Sequence, residues 1–255
     1  MKRALLLLLA SLAGITTHTV AQVLYPGKSP GKAQVSASAN SIVLENDALK
    51  LRFSFSANQL RITGFTDKVS GDHLAVNSPL FELTLPGSKT LTSDVFVLKT
   101  KPKEVNDPGK QSKAYEAQFE NTASGISVLW KAVLVDSANY IRQTITFSTK
   151  NPVKITGIQL IDLPVNGVEQ AGSVDGSPLV WKNMFFAIEH PMSQISKDKN
   201  SVSVFLPRQE ALTSNLPVTI SSVAGVSPLG QLRRAFLYYT ERERARPYHQ
   251  MLHYN

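Results

Sequence analysis

The chain has 255 residues, of which 42% are hydrophobic and 18% charged, and its formal net charge at pH 7 is +8. This balance is typical of a globular protein with enough apolar material for a core, and it excludes a disordered chain. The sequence contains no cysteine. Disulfide bonds, thiol catalysis and a lipid-anchored lipoprotein signal are therefore excluded.

The first residues have the features of a secretory signal peptide. Lys2 and Arg3 precede an apolar run over residues 4–15, and small residues follow. Because this run is too short to span a bilayer, we predict a signal peptide over residues 1–21, with a retained anchor as the alternative. We expect a secreted or periplasmic bacterial protein that has no membrane association after signal cleavage.

Basic residues cluster in segments that we predict to be loops, around residues 28–32, 99–113 and 197–199. Nucleic-acid binding would need these residues on one face with aromatic residues interleaved, and the segments contain no such aromatics. We therefore predict a solvated basic surface and no nucleic-acid partner.

From Ser41 onward the sequence alternates apolar and polar residues, as half-buried strands do. The preceding residues 22–40 are rich in Pro, Gly, Ser and Ala, and this composition predicts a flexible leader. The segment 49–56 (LKLRFSFS) shows the alternation most clearly, whereas 125–136 (GISVLWKAVLVD) is more continuously apolar and predicts a strand covered on both faces. Further predicted strands lie near residues 60–62, 81–85, 95–99, 115–120, 140–149, 153–163, 185–190, 201–206, 217–225 and 234–240.

About a dozen strands with short connections predict an all-β fold, a large antiparallel β-sandwich over residues 41–239. No internal repeat is present, so a propeller or solenoid is not expected. Thr240 and Glu243 have the spacing of a capping box and predict a short connector helix that ends before Pro247. We assign residues 240–255 to this connector and to the start of a further strand.

No phosphate-binding loop, dinucleotide fingerprint, zinc signature or nucleophile elbow occurs in the sequence. We predict no catalytic residue and no cofactor. His249 and His253 are four residues apart, but no third ligand can be named. We therefore predict no metal site.

The segment GSVDGSPLVWKNMFFAIEHPM, residues 172–192, contains the candidate substrate-binding residues. Glu189 and His190 end a predicted buried strand, where they could exchange protons or bind sugar hydroxyls. Trp181 follows a loop and could stack on a sugar ring, and Asp175 lies in the turn before it. The alternative is that these polar residues shape the loop through ordinary hydrogen bonds.

The same segment, with LENDALKLRFSF (44–55) and QLRRAFLYYTERERARPYHQMLHYN (231–255), resembles one group of bacterial glycoside hydrolases. These are the α-galactosidase and α-N-acetylgalactosaminidase type, including enterotoxin-like proteins. The resemblance implies a galactose mutarotase-like supersandwich at the N-terminus, followed by a (β/α)₈ barrel that carries the catalytic carboxylates. The resemblance also implies that the motif HYN, residues 253–255, begins the first barrel strand.

This resemblance predicts a non-catalytic sandwich domain that supports a catalytic barrel missing from this chain, and carbohydrate as the ligand. The expected substrates are α-galactosides or α-N-acetylgalactosaminides. Two alternatives remain, a stand-alone carbohydrate-binding module and a mutarotase-like epimerase that uses Glu189 and His190.

Overall fold

In a computed structural model of the chain, residues 23–56, 59–106 and 109–245 are described. The predicted signal peptide, His249, His253 and the predicted strand start after residue 245 lie outside these ranges. The strands of the described residues are, in chain order, β1 (Gln34–Ala37), β2 (Ser41–Glu45), β3 (Leu49–Ser56), β4 (Gln59–Asp67), β5 (His73–Pro79), β6 (Glu82–Leu85), β7 (Lys89–Thr92), β8 (Val97–Val105), β9 (Ser112–Asn121), β10 (Ile126–Val135), β11 (Tyr140–Thr149), β12 (Gly157–Leu163), β13 (Glu169–Gln170), β14 (Leu179–Trp181), β15 (Met184–Ile188), β16 (Gln194–Lys197), β17 (Val202–Pro207) and β18 (Val218–Val226). One α-helix of these residues, α1 (Leu232–Glu243), follows the last strand.

The strands form three antiparallel sheets, which confirms the all-β prediction. One sheet has the order β1-β2-β3-β4-β5, and another the order β16-β17-β12-β6-β7. The largest has eight strands in the order β13-β14-β15-β18-β11-β10-β9-β8. Both five-stranded sheets pack against the eight-stranded one, since β2 contacts β10 and β12 contacts β15. The two smaller sheets meet where the Ser78 hydroxyl donates to the Asp162 carbonyl, at 3.4 Å.

The core lies between these layers and is rich in aromatic rings. Phe53 of β3 packs edge-on against Trp130 of β10, with ring centroids 5.0 Å apart. The buried Trp130 indole donates to the side-chain oxygen of Gln143 at 3.0 Å, so its polar atom is satisfied. Phe65 of β4 packs in the same way on Phe186 of β15, at 5.7 Å. Aromatic pairs of this geometry join the two layers of the sandwich.

The structure corrects the prediction for the end of the chain. Residues 234–240 were predicted to be a strand and the helix to begin at Thr240, but α1 spans Leu232–Glu243. The boundary predicted at 239/240 therefore falls inside this helix. Its N-cap residue is Gln231, whose side chain makes no capping bond, so the predicted capping box is wrong. This segment is a helix and not a strand because the helix buries one apolar face against the sheet.

Most of the predicted flexible leader is part of the fold. Residues 34–37 form β1 and pair with β2, from Gln34 opposite Glu45 to Ala37 opposite Ile42. Before this strand, the carbonyl of Gly31 accepts from the Ser137 amide at 2.7 Å. Gly31 has φ +75, a conformation that glycine adopts without strain. The Pro/Gly composition therefore produces bends in an attached segment instead of flexibility.

Strand β10 was predicted to be covered on both faces, and this is also wrong. Its residues alternate between buried and more exposed positions along the whole strand. Leu129, on the outward side, is 37% exposed. The outward apolar residues of β10 stand on a partly open sheet face, so a continuous apolar run did not indicate double burial here.

None of the helices in the described ranges has the length and apolar character needed to span a bilayer.

Two carboxylates of the sheet β16-β17-β12-β6-β7 give stability a pH dependence. Burial raises the pKa of Asp162, and burial together with the charge of Asp162 raises the pKa of Glu82. A raised pKa means that the folded state binds protons more tightly than the unfolded state. The resulting stabilisation is present at acidic pH and is lost as the pH rises through the folded-state pKa values.

We therefore expect Glu82→Gln to increase the free energy of unfolding at neutral pH and to leave it nearly unchanged at acidic pH. Urea unfolding of both proteins across this range measures the effect. A variant that is less stable than wild type at neutral pH would contradict the assignment.

Candidate functional site

A cleft of about 420 Å³ opens on the outer face of the eight-stranded sheet, beside the C-terminal half of α1. Strands β11 and β18 form its floor, the residues after β15 form one wall and α1 forms the other. Its polar lining includes Arg142, Glu189, His190, Ser221, Tyr239 and Glu243. The cleft therefore contains two of the four predicted site residues, Glu189 and His190.

The position of α1 depends on aromatic packing over the sheet. Phe185 of β15 points outward and packs against Phe236 and Tyr239 of the helix, with centroids 5.2 and 5.9 Å away. Gly225 of the neighbouring strand makes room for it, because a Cβ at this position would lie 2.1 Å from the Phe185 ring. Tyr140 completes the contact, 4.8 Å from Tyr239. This packing fixes the helix wall of the cleft.

Glu189 is held on both carboxylate oxygens. Arg142 Nε donates to Oε2 at 2.6 Å, and the Tyr239 hydroxyl donates to Oε1 at 2.6 Å. Arg142 Nη2 lies 2.6 Å from the same Oε2 and also donates to the Ser221 hydroxyl at 3.2 Å. The Glu189 side chain is only 15% exposed. Charge-assisted bonds of this length in a partly buried position stabilise a carboxylate strongly.

A second tyrosine–glutamate bond also joins the sheet to the helix. Here the tyrosine is on the sheet and the glutamate is on the helix. The Tyr140 hydroxyl of β11 donates to Oε1 of Glu243, in the last turn of α1, at 2.6 Å. Lys110 Nζ lies 3.4 Å from Oε2 of Glu243, and Arg142 Nη1 lies 3.9 Å from it. An acid at a helix C-terminus is unfavourable against the helix dipole, so these cations offset that cost. Two reciprocal tyrosine–glutamate bonds thus join α1 to the sheet.

Burial raises the pKa of both tyrosine hydroxyls well above the usual value. The neighbouring carboxylates raise them further, Glu243 for Tyr140 and Glu189 for Tyr239. Both hydroxyls therefore remain protonated donors at physiological pH. Burial alone would lower the pKa of Arg142, but Glu189, together with Glu243 and Tyr239, more than compensates and raises it.

His190 lies on the rim of the cleft and is exposed. Its Nδ1 accepts from the Met192 backbone amide at 3.2 Å. In the neutral ring this bond places the proton on Nε2.

Asp175 and Trp181 lie outside the cleft. Asp175 accepts from the Gln194 side-chain amide at 3.3 Å, in the loop before β14. Trp181 is half-buried at the end of β14, and its indole nitrogen donates to the Asn166 carbonyl at 3.1 Å. Lys182 Nζ lies 4.8 Å from the centre of the Trp181 ring. The four predicted residues therefore do not converge on one site.

The sequence did not reveal the partners of Glu189. Arg142 and Tyr239 are far from it in sequence and reach it only through strand pairing and the docking of α1. The outward position of Arg142 in an otherwise Thr-rich strand face was the available signal. Among the described residues, no group of three or more His, Asp or Glu side chains could hold a metal ion.

No protein-family model matches the sequence, and no curated protein matches it significantly. Solved structures share the fold. The GH36 α-galactosidase AgaB from Geobacillus stearothermophilus aligns with a TM-score of 0.51 and 13% identity, over 76% of this chain and 41% of that one. The galactosidase domain of the α-galactosidase-sucrose kinase AgaSK aligns with a TM-score of 0.50 and 7% identity, over 76% of this chain and 42% of that one.

The active YidC insertase aligns with a TM-score of 0.48 and 11% identity, over 84% of this chain and 44% of that one. At sequence identities this low, the similarity extends to the fold alone. The chain spans less than half the length of each of these three proteins.

The bonds to Glu189 predict an energetic coupling between sheet and helix. Tyr239→Phe removes one bond to a charged group, and we expect it to lower the free energy of unfolding by roughly 1.5–3 kcal/mol. Because Glu189→Gln disrupts the same network, we expect the double variant to lose less than the sum of the two single losses. Urea unfolding of the four proteins measures this coupling.

Arg233→Ala is the matched control, since Arg233 lies on the exposed face of α1. Its effect should stay within about 0.5 kcal/mol. Strictly additive losses for Tyr239→Phe and Glu189→Gln would show that the two side chains do not act together.

Proposed function

We propose that this chain is the β-sandwich domain of a secreted bacterial glycoside hydrolase that acts on α-galactosides or α-N-acetylgalactosaminides. The domain supports a catalytic (β/α)₈ barrel and forms part of its sugar cleft. Two observations support the proposal. The motifs at residues 172–192 and 231–255 resemble this type of enzyme, and the fold aligns with about two fifths of the α-galactosidase AgaB.

The hydrogen bonds to both carboxylate oxygens of Glu189 are the observation that supports a non-catalytic role. Glycoside hydrolysis needs two carboxyl groups about 5–10 Å apart, one of them a proton donor. Glu189 is bound on both oxygens, and Glu243 is bound by Tyr140 and faces two cations. Both carboxylates of the cleft therefore serve to hold α1, and neither is placed to protonate a leaving group.

The cleft on α1 is the surface that we propose for sugar contact. Ser221, Thr219 and Thr240 place hydroxyl groups around it, and His190 offers a ring N–H at its rim. The charges of Arg142 and Glu189 balance each other, which suits a neutral, hydroxyl-rich ligand. Roles for Asp175 and Trp181 in substrate binding remain predictions, and both would act at a separate place.

A stand-alone carbohydrate-binding module is the second candidate. The observation that favours it is Trp181, which is partly exposed and fixed by its bond to Asn166, as a stacking platform requires. The geometry does not favour a mutarotase-like epimerase, because the carboxylate of Glu189 and Nδ1 of His190 are both engaged.

We expect the purified protein to hydrolyse aryl α-galactosides and α-N-acetylgalactosaminides no faster than buffer, with Glu189→Gln indistinguishable from wild type. A chromogenic assay with both substrates measures this. Turnover that Glu189→Gln abolishes would overturn the non-catalytic role. Specific glycan affinity of wild type, lost in Trp181→Ala, would favour the binding module instead.

The gene sequence tests the proposal that a catalytic barrel follows this domain. We expect the genomic DNA downstream of the codon for Asn255 to encode repeated β-strand and α-helix segments. A genomic sequence without them in any reading frame would contradict the supporting role.

A further inference from the structure

The turn between β12 and β13 contains a reactive sequence in an open geometry. Asn166 is followed by Gly167, the only Asn–Gly pair in the 255 residues, and both residues are exposed. Gly167 has φ +79. Within the described residues, neither the Asn166 side chain nor the Gly167 amide takes part in a hydrogen bond. The nucleophile and the electrophile of an intramolecular reaction are thus adjacent and unrestrained.

A second turn of the same protein shows that a glycine with positive φ does not always have an unrestrained amide. Asp175 and Gly176 form a similar pair in an exposed turn, and Gly176 also has a positive φ, +78. There, however, the Gly176 amide donates to the Ser193 carbonyl at 2.8 Å. A Cβ on Gly176 would also lie 2.9 Å from the Pro191 carbonyl oxygen, so the backbone is packed tightly. The Gly167 amide has no such restraint.

We propose that Asn166 is a site of spontaneous deamidation. The Gly167 amide nitrogen loses its proton and attacks Cγ of Asn166, forming a C–N bond and a five-membered imide. The bond between Cγ and Nδ2 of Asn166 breaks, and Nδ2 leaves as ammonia with that proton. Water then opens either carbonyl of the imide, giving aspartate or isoaspartate. Glycine favours the first step because it has no Cβ to hinder ring closure, and asparagine is among the thermolabile residues.

Deamidation of Asn166 would also change the environment of Trp181. The Asn166 backbone carbonyl accepts the Trp181 indole N–H. An isoaspartyl linkage adds a methylene to the main chain and displaces this carbonyl, and either product adds a negative charge at residue 166. The contact that fixes Trp181 would therefore be lost in the isoaspartyl form, whereas Trp130 is fully buried in the core and should not respond.

The test is to age the purified protein in mildly alkaline buffer and to follow each asparagine by peptide mass spectrometry. We expect a mass gain of about 1 Da at Asn166, with isoaspartate identified by enzymatic methylation. Asn200 is an internal control, because it is also exposed but is followed by serine. The rate at Asn166 should exceed that at Asn200 by about tenfold, because serine carries a Cβ.

Asn166→Gln is the matched variant, since glutamine has one more methylene and forms the imide slowly. We expect the tryptophan emission of aged wild type to shift to longer wavelength, and that of aged Asn166→Gln to stay constant. Equal rates at Asn166 and Asn200, or the same emission shift in the variant, would overturn the proposal.

Discussion

The cover of the eight-stranded sheet by α1 is the constraint on which the rest of the site depends. Phe185 can turn outward only because Gly225 leaves room beside it, and its ring then packs against the helix. This packing brings Tyr239 to Glu189, and the return bond from Tyr140 to Glu243 closes the arrangement. Apolar burial places the helix, and the charged bonds fix its rotation and register on the sheet.

This arrangement determines what the cleft can do chemically. A carboxylate that is paired with an arginine and bonded by a tyrosine is costly to disturb, because removing one partner leaves a partly buried charge uncompensated. Glu189 therefore has a structural task, although its place at a strand end next to a histidine suggests acid–base chemistry. The remaining hydroxyls and His190 are the groups that would contact the sugar in the function that we propose.

The sequence was most informative where one face of a strand is buried. The alternation in residues 49–56 predicted β3 correctly, because side chains on a half-buried sheet repeat every two residues. The same reasoning failed for α1, since its Phe and Tyr residues favour strands by propensity. The spacing Leu232, Ala235, Phe236 and Tyr239 marks one helical face and was the overlooked signal. The outward Arg142 was the one sequence signal of the network around Glu189, and its pairing with Glu189 could not be predicted because the two residues lie on different elements.

The central claim is that the tyrosine–glutamate bonds hold the last turn of α1 on the sheet. Hydrogen–deuterium exchange of wild type and Glu189→Gln tests it most directly, because amide exchange reports local opening. The account predicts that exchange in residues 236–243 becomes faster in the variant by a larger factor than exchange in β9 and β10. Unchanged exchange in the helix, or an increase there no larger than that in β9 and β10, would contradict it.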